Sequence, residues 1–125
     1  MATRRLDKLS GVAQTTDGTT VTTVLTWPCP DNAIVVVGIS VMARRADTGA
    51  SGVWTFKRGM ERYAAGAVAA IGAQSGFLRN EGTGMALSTT IVINNSGTAV
   101  IVTVVGVAAT TINWAVDAEY LYLIP

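Results

Sequence analysis

Apolar and polar residues alternate over several short segments of the chain, which is the pattern of β-strands that bury one face. The alternation is most regular over residues 111–123, near the end of the sequence. The apolar set there is Ile112, Trp114, Val116, Ala118, Tyr120 and Tyr122. We predict a long strand that turns this set into the core, with Trp114 as a buried anchor.

The end of this strand breaks the alternation, because Leu121 and Leu123 are apolar on the face that is otherwise polar. A strand that is apolar on both faces is usually covered on both. We therefore expect Leu121, Leu123 and the adjoining Ile124 to lie against another strand or another subunit.

Two central segments show the same two-residue period. Residues 33–45 begin apolar on both faces and then alternate, so they predict the longest strand. Residues 47–52 are rich in turn formers, and Trp54, Phe56 and Met60 then fall on one side of a further strand. Gly59 predicts a β-bulge within that strand.

Turn formers divide the rest of the chain. Asp17-Gly18 predicts a hairpin over residues 15–27, which Pro28 and Pro30 end. Trp27 falls on the same side of its second strand as Leu25. The remaining predictions are a small-residue strand over 64–73, an exposed loop over 74–84, and strands over 85–93 and 98–105 joined by a hairpin turn at 94–97.

About eight strands, short turns and no helical period predict an all-β fold, a single antiparallel β-sandwich. The pattern does not separate a jelly roll from other strand orders. The length of 125 residues fits one domain over residues 1–125, with a short N-terminal arm at about residues 1–10.

The composition argues against disulfide formation, metal binding and the commoner kinds of catalysis. Histidine is absent and Cys29, between two prolines, is the only cysteine. We expect no internal disulfide, no metal, no cofactor and no enzyme activity. Asp117 and Glu119 lie about 7 Å apart on one strand face, a separation that suits two glycosidase carboxylates, but a solvated face is the simpler interpretation.

The charge and hydropathy of the sequence limit the kinds of partner that we expect the chain to bind. Nine Lys or Arg against eight Asp or Glu leave a formal charge of +1, so we expect no binding of nucleic acid through charge alone. The longest apolar run is too short for a membrane helix, and no secretory signal follows the first residues. Half of the residues are hydrophobic and only 14% are charged, which suggests that other chains cover part of the surface.

Three groups of residues are candidates for an interface besides the end of the last strand. Arg44-Arg45 and Lys57-Arg58 form a basic strip if their strands pair, although a solvated edge with ion pairs to acidic neighbours is the simpler interpretation. The three tryptophans share a strand face with aliphatic residues, so core packing is the simpler interpretation for each. Trp27, which borders the proline loop, is the most plausible exception and the candidate to stack on a sugar ring.

With the segments placed, their order resembles a known family. The matching elements are Thr15 to Thr20 with Asp-Gly, Pro30 to Asn32, a Val-rich strand ending Ala43-Arg44-Arg45-Ala46-Asp47, then Trp54-Thr55-Phe56-Lys57-Arg58, and Gly106 through Ile112-Asn113-Trp114. In this order the chain is similar to small β-rich virion proteins of tailed bacteriophages and prophages, which decorate capsids or belong to tails and fibres.

The resemblance implies a non-enzymatic building block that repeats in a virus particle, commonly as a trimer. We expect a capsid decoration or cement protein that stabilises the head through contacts between subunits. A tail or fibre adaptor or tip protein is one alternative, and a carbohydrate-binding module that recognises a host glycan is another. The expected partners are the chain itself, as a homotrimer, and virion proteins such as the major capsid protein. The expected location is the virion, after synthesis in the host cytoplasm.

Overall fold

The computed structural model describes residues 2–125, which form nine β-strands and one 3-10 turn. The strands are β1 (Thr3–Thr15), β2 (Thr22–Pro28), β3 (Ile34–Arg45), β4 (Ser51–Glu61), β5 (Ala69–Ala70), β6 (Ser75–Glu81), β7 (Val92–Ser96), β8 (Ala99–Val104) and β9 (Ile112–Ile124). The 3-10 turn spans Ser88–Thr90.

The strands form two antiparallel sheets. The larger has six strands in the order β1-β9-β3-β4-β5, with β6 also paired to β4, and the smaller has three strands in the order β2-β8-β7. Side chains from the facing sides of both sheets make one core. The predicted antiparallel β-sandwich is confirmed, with nine strands where about eight were expected.

Strand β9 lies in the middle of the larger sheet and confirms the alternation that predicted it. The predicted inward set is buried along the whole strand, and the residues between point away from the smaller sheet. The ring of Trp114 stacks on that of Trp54, with centroids 6.0 Å apart. Gly52 leaves room for the Trp54 ring, which a β-carbon at that position would strike.

The smaller sheet supplies the opposite side of the core. Val100, Val102 and Val104 of β8 are fully buried, as their spacing predicted. Strands β7 and β8 form the predicted hairpin, but its turn lies at residues 97–98 and not over 94–97, because residues 94–96 pair within β7. At one side the edge strands of the two sheets come close together. A β-carbon on Gly11 of β1 would lie 2.8 Å from the carbonyl oxygen of Val24, so glycine permits that approach.

The first residues differ from the predicted arm. From Thr3 onward they belong to β1, which pairs with β9 in an unbroken register from Thr3 opposite Ile124 to Thr15 opposite Ile112. The strand escaped prediction because Leu9 is the single large apolar residue among its inward positions before Thr15, and the others, including Asp7 and Gly11, are small or polar, as an edge position permits.

The predicted hairpin over residues 15–27 is wrong as a pairing, although its turn is present. Asp17 accepts hydrogen bonds from the amides of Thr19 and Thr20, at 3.0 and 2.7 Å. The chain then crosses to the other sheet, so β1 pairs with β9 and β2 with β8. A register shift between Thr23 and Leu25 also changes which residues of β2 face inward.

Three other segments differ from prediction. Residues 64–73 are mostly loop, because Ala64 and Ala65 have positive φ angles of 52° and 57° and only β5 is extended. The expected loop over 74–84 contains β6, an exposed strand whose side chains do not alternate in burial. The expected strand over 85–93 holds the 3-10 turn and only the start of β7.

No bulge occurs at Gly59, which pairs directly with Val36 in the regular ladder between β3 and β4. The irregularity of β4 lies on its other side, opposite β6, between Thr55 and Phe56. There Phe77 is the extra residue of β6, between Gly76 and Leu78.

Removing the hydroxyl of Tyr120 is expected to stabilise the fold. This hydroxyl is buried and has no hydrogen-bond partner, and burial raises the pKa of Tyr120 to about 12. Tyr120→Phe keeps the ring stack on Trp27 and should raise the free energy of unfolding by about 1 kcal/mol in a denaturant titration. The control is Tyr122→Phe, expected to change it little. A loss of stability in Tyr120→Phe would mean that an internal water satisfies the hydroxyl.

Candidate docking face

The outer face of the six-stranded sheet, which points away from the smaller sheet, is the most unusual surface of the molecule. Of the twelve large apolar side chains exposed within residues 2–125, ten lie on this face. They are Leu6, Val12, Ile34, Val36, Met42, Ile71, Phe77, Leu78, Leu121 and Leu123. Exposed apolar side chains concentrated on one face mark an interaction surface.

The strand register arranges these side chains in bands that run across the strands. The first apolar band consists of Leu6, Leu121 and Val36 in one row and Leu123 and Ile34 in the next. The second apolar band, toward the other end, consists of Val12, Ala115, Met42 and Val53. Each band therefore joins residues that are far apart in the sequence.

A polar band separates the two apolar bands. Its members are Lys8, Ser10, Ser40, Thr55, Lys57, Asp117 and Glu119. Its two lysines and two carboxylates balance in charge. Lys8 Nζ lies 3.5 Å from Glu119 Oε1, and the Ser10 hydroxyl donates to Asp117 Oδ1 at 2.7 Å. Asp117 and Glu119 thus lie on an open strand face with partners from β1, as the simpler interpretation expected.

Three shallow depressions mark the same face. One of about 390 Å³ lies over Gly38, between Leu6, Val36 and Leu121 of the first apolar band. One of about 560 Å³ lies along the polar band beside Phe77, whose ring is 68% exposed and lies 5.7 Å from Lys57 Nζ. The third, of about 840 Å³, lies over the second apolar band. The surface of this face is therefore uneven, with concave regions between the exposed side chains.

The predicted interface residues at the end of β9 lie on two sides of the sheet. Leu121 and Leu123 point outward in the first apolar band and are 37% and 39% exposed. Ile124 points inward and packs partly against the core. Within the chain, β1 and β3 flank this end of β9, and its outward side faces solvent.

The predicted basic strip is wrong, although β3 and β4 do pair. Arg44 lies opposite Ser51, whereas Lys57 lies opposite Gly38, six residues along β3 and thus roughly 20 Å away. Neighbouring residues of a strand also point to opposite faces, which separates Arg44 from Arg45 and Lys57 from Arg58.

Both inward arginines have structural partners. Arg45 forms an ion pair with Asp47, with Nη2 and Oδ2 2.9 Å apart, and its hydrogen bonds lower the pKa of Asp47 to about 2. Arg58 donates to the carbonyl oxygen of Ile93 at 2.7 Å and so joins the two sheets. Their role is to hold the fold together.

Trp27 is not the accessible tryptophan that the proline loop suggested. Its side chain is 4% exposed, stacks on Tyr120 with centroids 4.6 Å apart, and donates from Nε1 to Asp7 Oδ2 at 2.8 Å. All three indole rings are buried. The exposed aromatic ring on the outer face is that of Phe77, which the sequence analysis had assigned to a loop.

Most of the docking face was not predicted from the sequence. On the outward side of its strand, each of Val12, Met42 and Val53 is a single apolar residue between polar ones, so no segment indicated a band. Strand β1 gives no clear signal either, because its outward side chains Leu6, Lys8, Ser10 and Val12 mix apolar and polar types.

The remaining candidate for reactivity is the thiol of Cys29. It is buried, and burial raises its pKa, an effect that the charge of Arg62 opposes. A thiol held protonated inside the core is a poor nucleophile. Cys29 therefore acts as a small core residue, as the absence of a histidine partner suggested.

Neither a metal site nor a membrane helix is evident in the described chain. Residues 2–125 bring together no group of three or more His, Cys, Asp or Glu side chains. None of these residues lies in a helix long and apolar enough to cross a bilayer. In comparisons with known proteins, no protein-family model, no curated protein and no solved structure matches the chain.

Proposed function

We propose that this chain is a non-enzymatic structural protein that acts by occupying a position in an assembly, through the outer face of its larger sheet. The observation that carries the proposal is the concentration of exposed apolar side chains in two bands on that face. A concentrated apolar patch of this kind marks an interaction surface, and burying it between subunits contributes roughly 25 cal/mol for each Å² of apolar area.

The proposed assembly is the virion of a tailed bacteriophage, and the proposed role is capsid decoration. This part rests on the resemblance of the segment order from Thr15 to Trp114. Many copies that bury surface between neighbouring subunits would raise the free energy of opening the particle, because they bind the closed shell and not the opened one. The protein would then stabilise the packaged genome by mass action.

The function is tested on particles that lack the protein. These particles are expected to assemble but to release their genomes at lower temperature, as measured with a DNA-binding dye, and added wild-type protein should restore the release temperature. Leu121→Asp, which places a charge in the first apolar band, should fail to restore it. Thr26→Asp, on an exposed position of the smaller sheet, is the matched control and should restore it fully.

Two other outcomes would favour the alternatives. Particles that lack the protein, keep their genomes and fail to adsorb to host cells would indicate a fibre or receptor-binding protein. Loss of adsorption after Asp117→Asn alone would indicate that the polar band acts on a host glycan. Full activity of the Leu121→Asp variant would contradict the use of the outer face.

A further inference from the structure

We propose that the outer face pairs two copies of this chain face to face, about a two-fold axis that runs parallel to the strands. The inference rests on the proposed function, because it names the subunit that the face contacts. The paired sheets would pack as the two layers of a sandwich do, roughly 10 Å apart.

The size of the face suits such a pair. The four strands that overlap when β9 faces β3 of the second copy, β1, β9, β3 and β4, span roughly 19 Å, and the six rows of outward side chains span roughly 34 Å along the strands. The resulting area of roughly 650 Å² lies within the roughly 600–1,000 Å² that each partner buries in a stable protein interface. A second copy could cover both apolar bands at once.

The direction of the bands makes the face complementary to itself. Because each band runs across the strands, a two-fold axis parallel to the strands lays every band on the same band of the second copy. Strand β9 then faces β3 of the second copy, and β1 faces β4. Leu121 meets Val36, Leu123 meets Ile34, and Val12 meets Val53, so apolar side chains are buried against apolar side chains.

Two of the facing pairs also join a large side chain to a small residue. Met42 faces Ala115 of the second copy, so one long side chain meets one short one. Glu119 faces Gly38, where no side chain occupies the space under the depression on the first apolar band. Such pairs of large and small residues are how two packed sheets interdigitate.

The charges favour this axis over one perpendicular to the strands. With the parallel axis, Arg4 faces Glu61 of the second copy at the rim, and Asp117 faces Ser40. A perpendicular axis would instead press Ile34 onto Arg44 and bring Glu119 toward Asp117. Lys8 does face a lysine of the second copy, but Glu119 is next to both and offsets their charge.

The pairing predicts a cross-copy ion pair that can be tested by charge reversal. Within one copy Arg4 and Glu61 are three strands apart, roughly 14 Å, so they do not pair with each other. Sedimentation velocity of the wild type should give a mass of about twice 13.0 kDa. Arg4→Glu and Glu61→Arg should each raise the dissociation constant about tenfold or more at low salt, since each change affects two pairs per dimer.

Mixing the two variants should restore dimers, because in the mixed dimer both rim pairs join opposite charges. The double variant should also regain the wild-type dissociation constant. Thr26→Asp on the smaller sheet is the control and should leave the dissociation constant unchanged. Since misfolded variants cannot rescue each other by mixing, the rescue separates pairing from loss of fold.

A mass of one chain, or of the three chains expected from the sequence, would overturn the pairing. Dimers that ignore both charge reversals would overturn the proposed axis. A monomeric protein that still restores genome retention in a Leu121-dependent manner would remove this inference and leave the proposed function standing, with another virion protein on the outer face.

Discussion

Replacing Trp114 with alanine is expected to lower the free energy of unfolding by about 3–5 kcal/mol, a large part of the stability of a small domain. The side chain is 2% exposed and packs on Trp54 in the centre of the core. Its Nε1 also donates to the hydroxyl of Thr15 at 2.9 Å. The substitution therefore leaves both a large cavity and a buried hydroxyl without its donor.

The effect is measured by urea denaturation followed by circular dichroism, because removing a tryptophan alters the fluorescence itself. Asn113→Ala is the matched control: this neighbour points outward on the same strand, and the change should stay within about 0.5 kcal/mol. Trp114→Phe keeps most of the side-chain volume but loses the Nε1 hydrogen-bond donor. Its loss in free energy of unfolding should lie between those of Trp114→Ala and Asn113→Ala. A Trp114→Ala variant with unchanged stability would contradict the inward assignment of this face of β9.

Replacing Trp27 with alanine is the second large effect, also about 3–5 kcal/mol. The indole belongs to β2 of the smaller sheet but contacts Tyr120 and Tyr122 of the larger sheet, at centroid distances of 4.6 and 5.3 Å. Its hydrogen bond to Asp7 adds a link to β1. Trp27 therefore joins the two layers, and its removal should affect unfolding before it affects association.

Two measurements separate these roles of Trp27. The Trp27→Ala variant should unfold at lower urea concentration, while its mass below the transition stays that of the wild type. Asp7→Asn, which weakens only the hydrogen bond, should cost about 1 kcal/mol. If Trp27→Ala changed the mass of the folded protein and left its unfolding unaltered, the tryptophan would be an interface residue after all.

The two strands predicted best, β3 and β9, each have neighbours on both sides and one face in the core. Their inward positions have to be apolar at every second residue, so the pattern is complete in Ile39, Val41 and Ala43 and again from Ile112 to Tyr122. The edge strands carry a weaker pattern. In β1 the inward positions include Asp7 and Gly11, which an edge tolerates and a centre does not.

The docking face could not be predicted from the sequence, because its residues come together only through the pairing register of distant strands. Leu6, Val36 and Leu121 form one row only after three distant segments have paired. The sequence does predict that Leu121 and Leu123 are covered on their outer side. It cannot show that Met42 and Val53 lie together in a second band, or that the basic pairs Arg44-Arg45 and Lys57-Arg58 end up at different places along their strands.

The central position of β9 has a consequence for how the protein is made. Of the nine strands, β9 leaves the ribosome last, yet β1 and β3 pair with each other only through it. While the chain grows, β1 therefore keeps its backbone groups unpaired, and the apolar inner face of β3 lacks its main neighbour. Such long-range pairing is slow to form and prone to aggregation until it is complete. We expect the larger sheet to form in one late step after synthesis of β9, with chaperones holding the nascent chain until then.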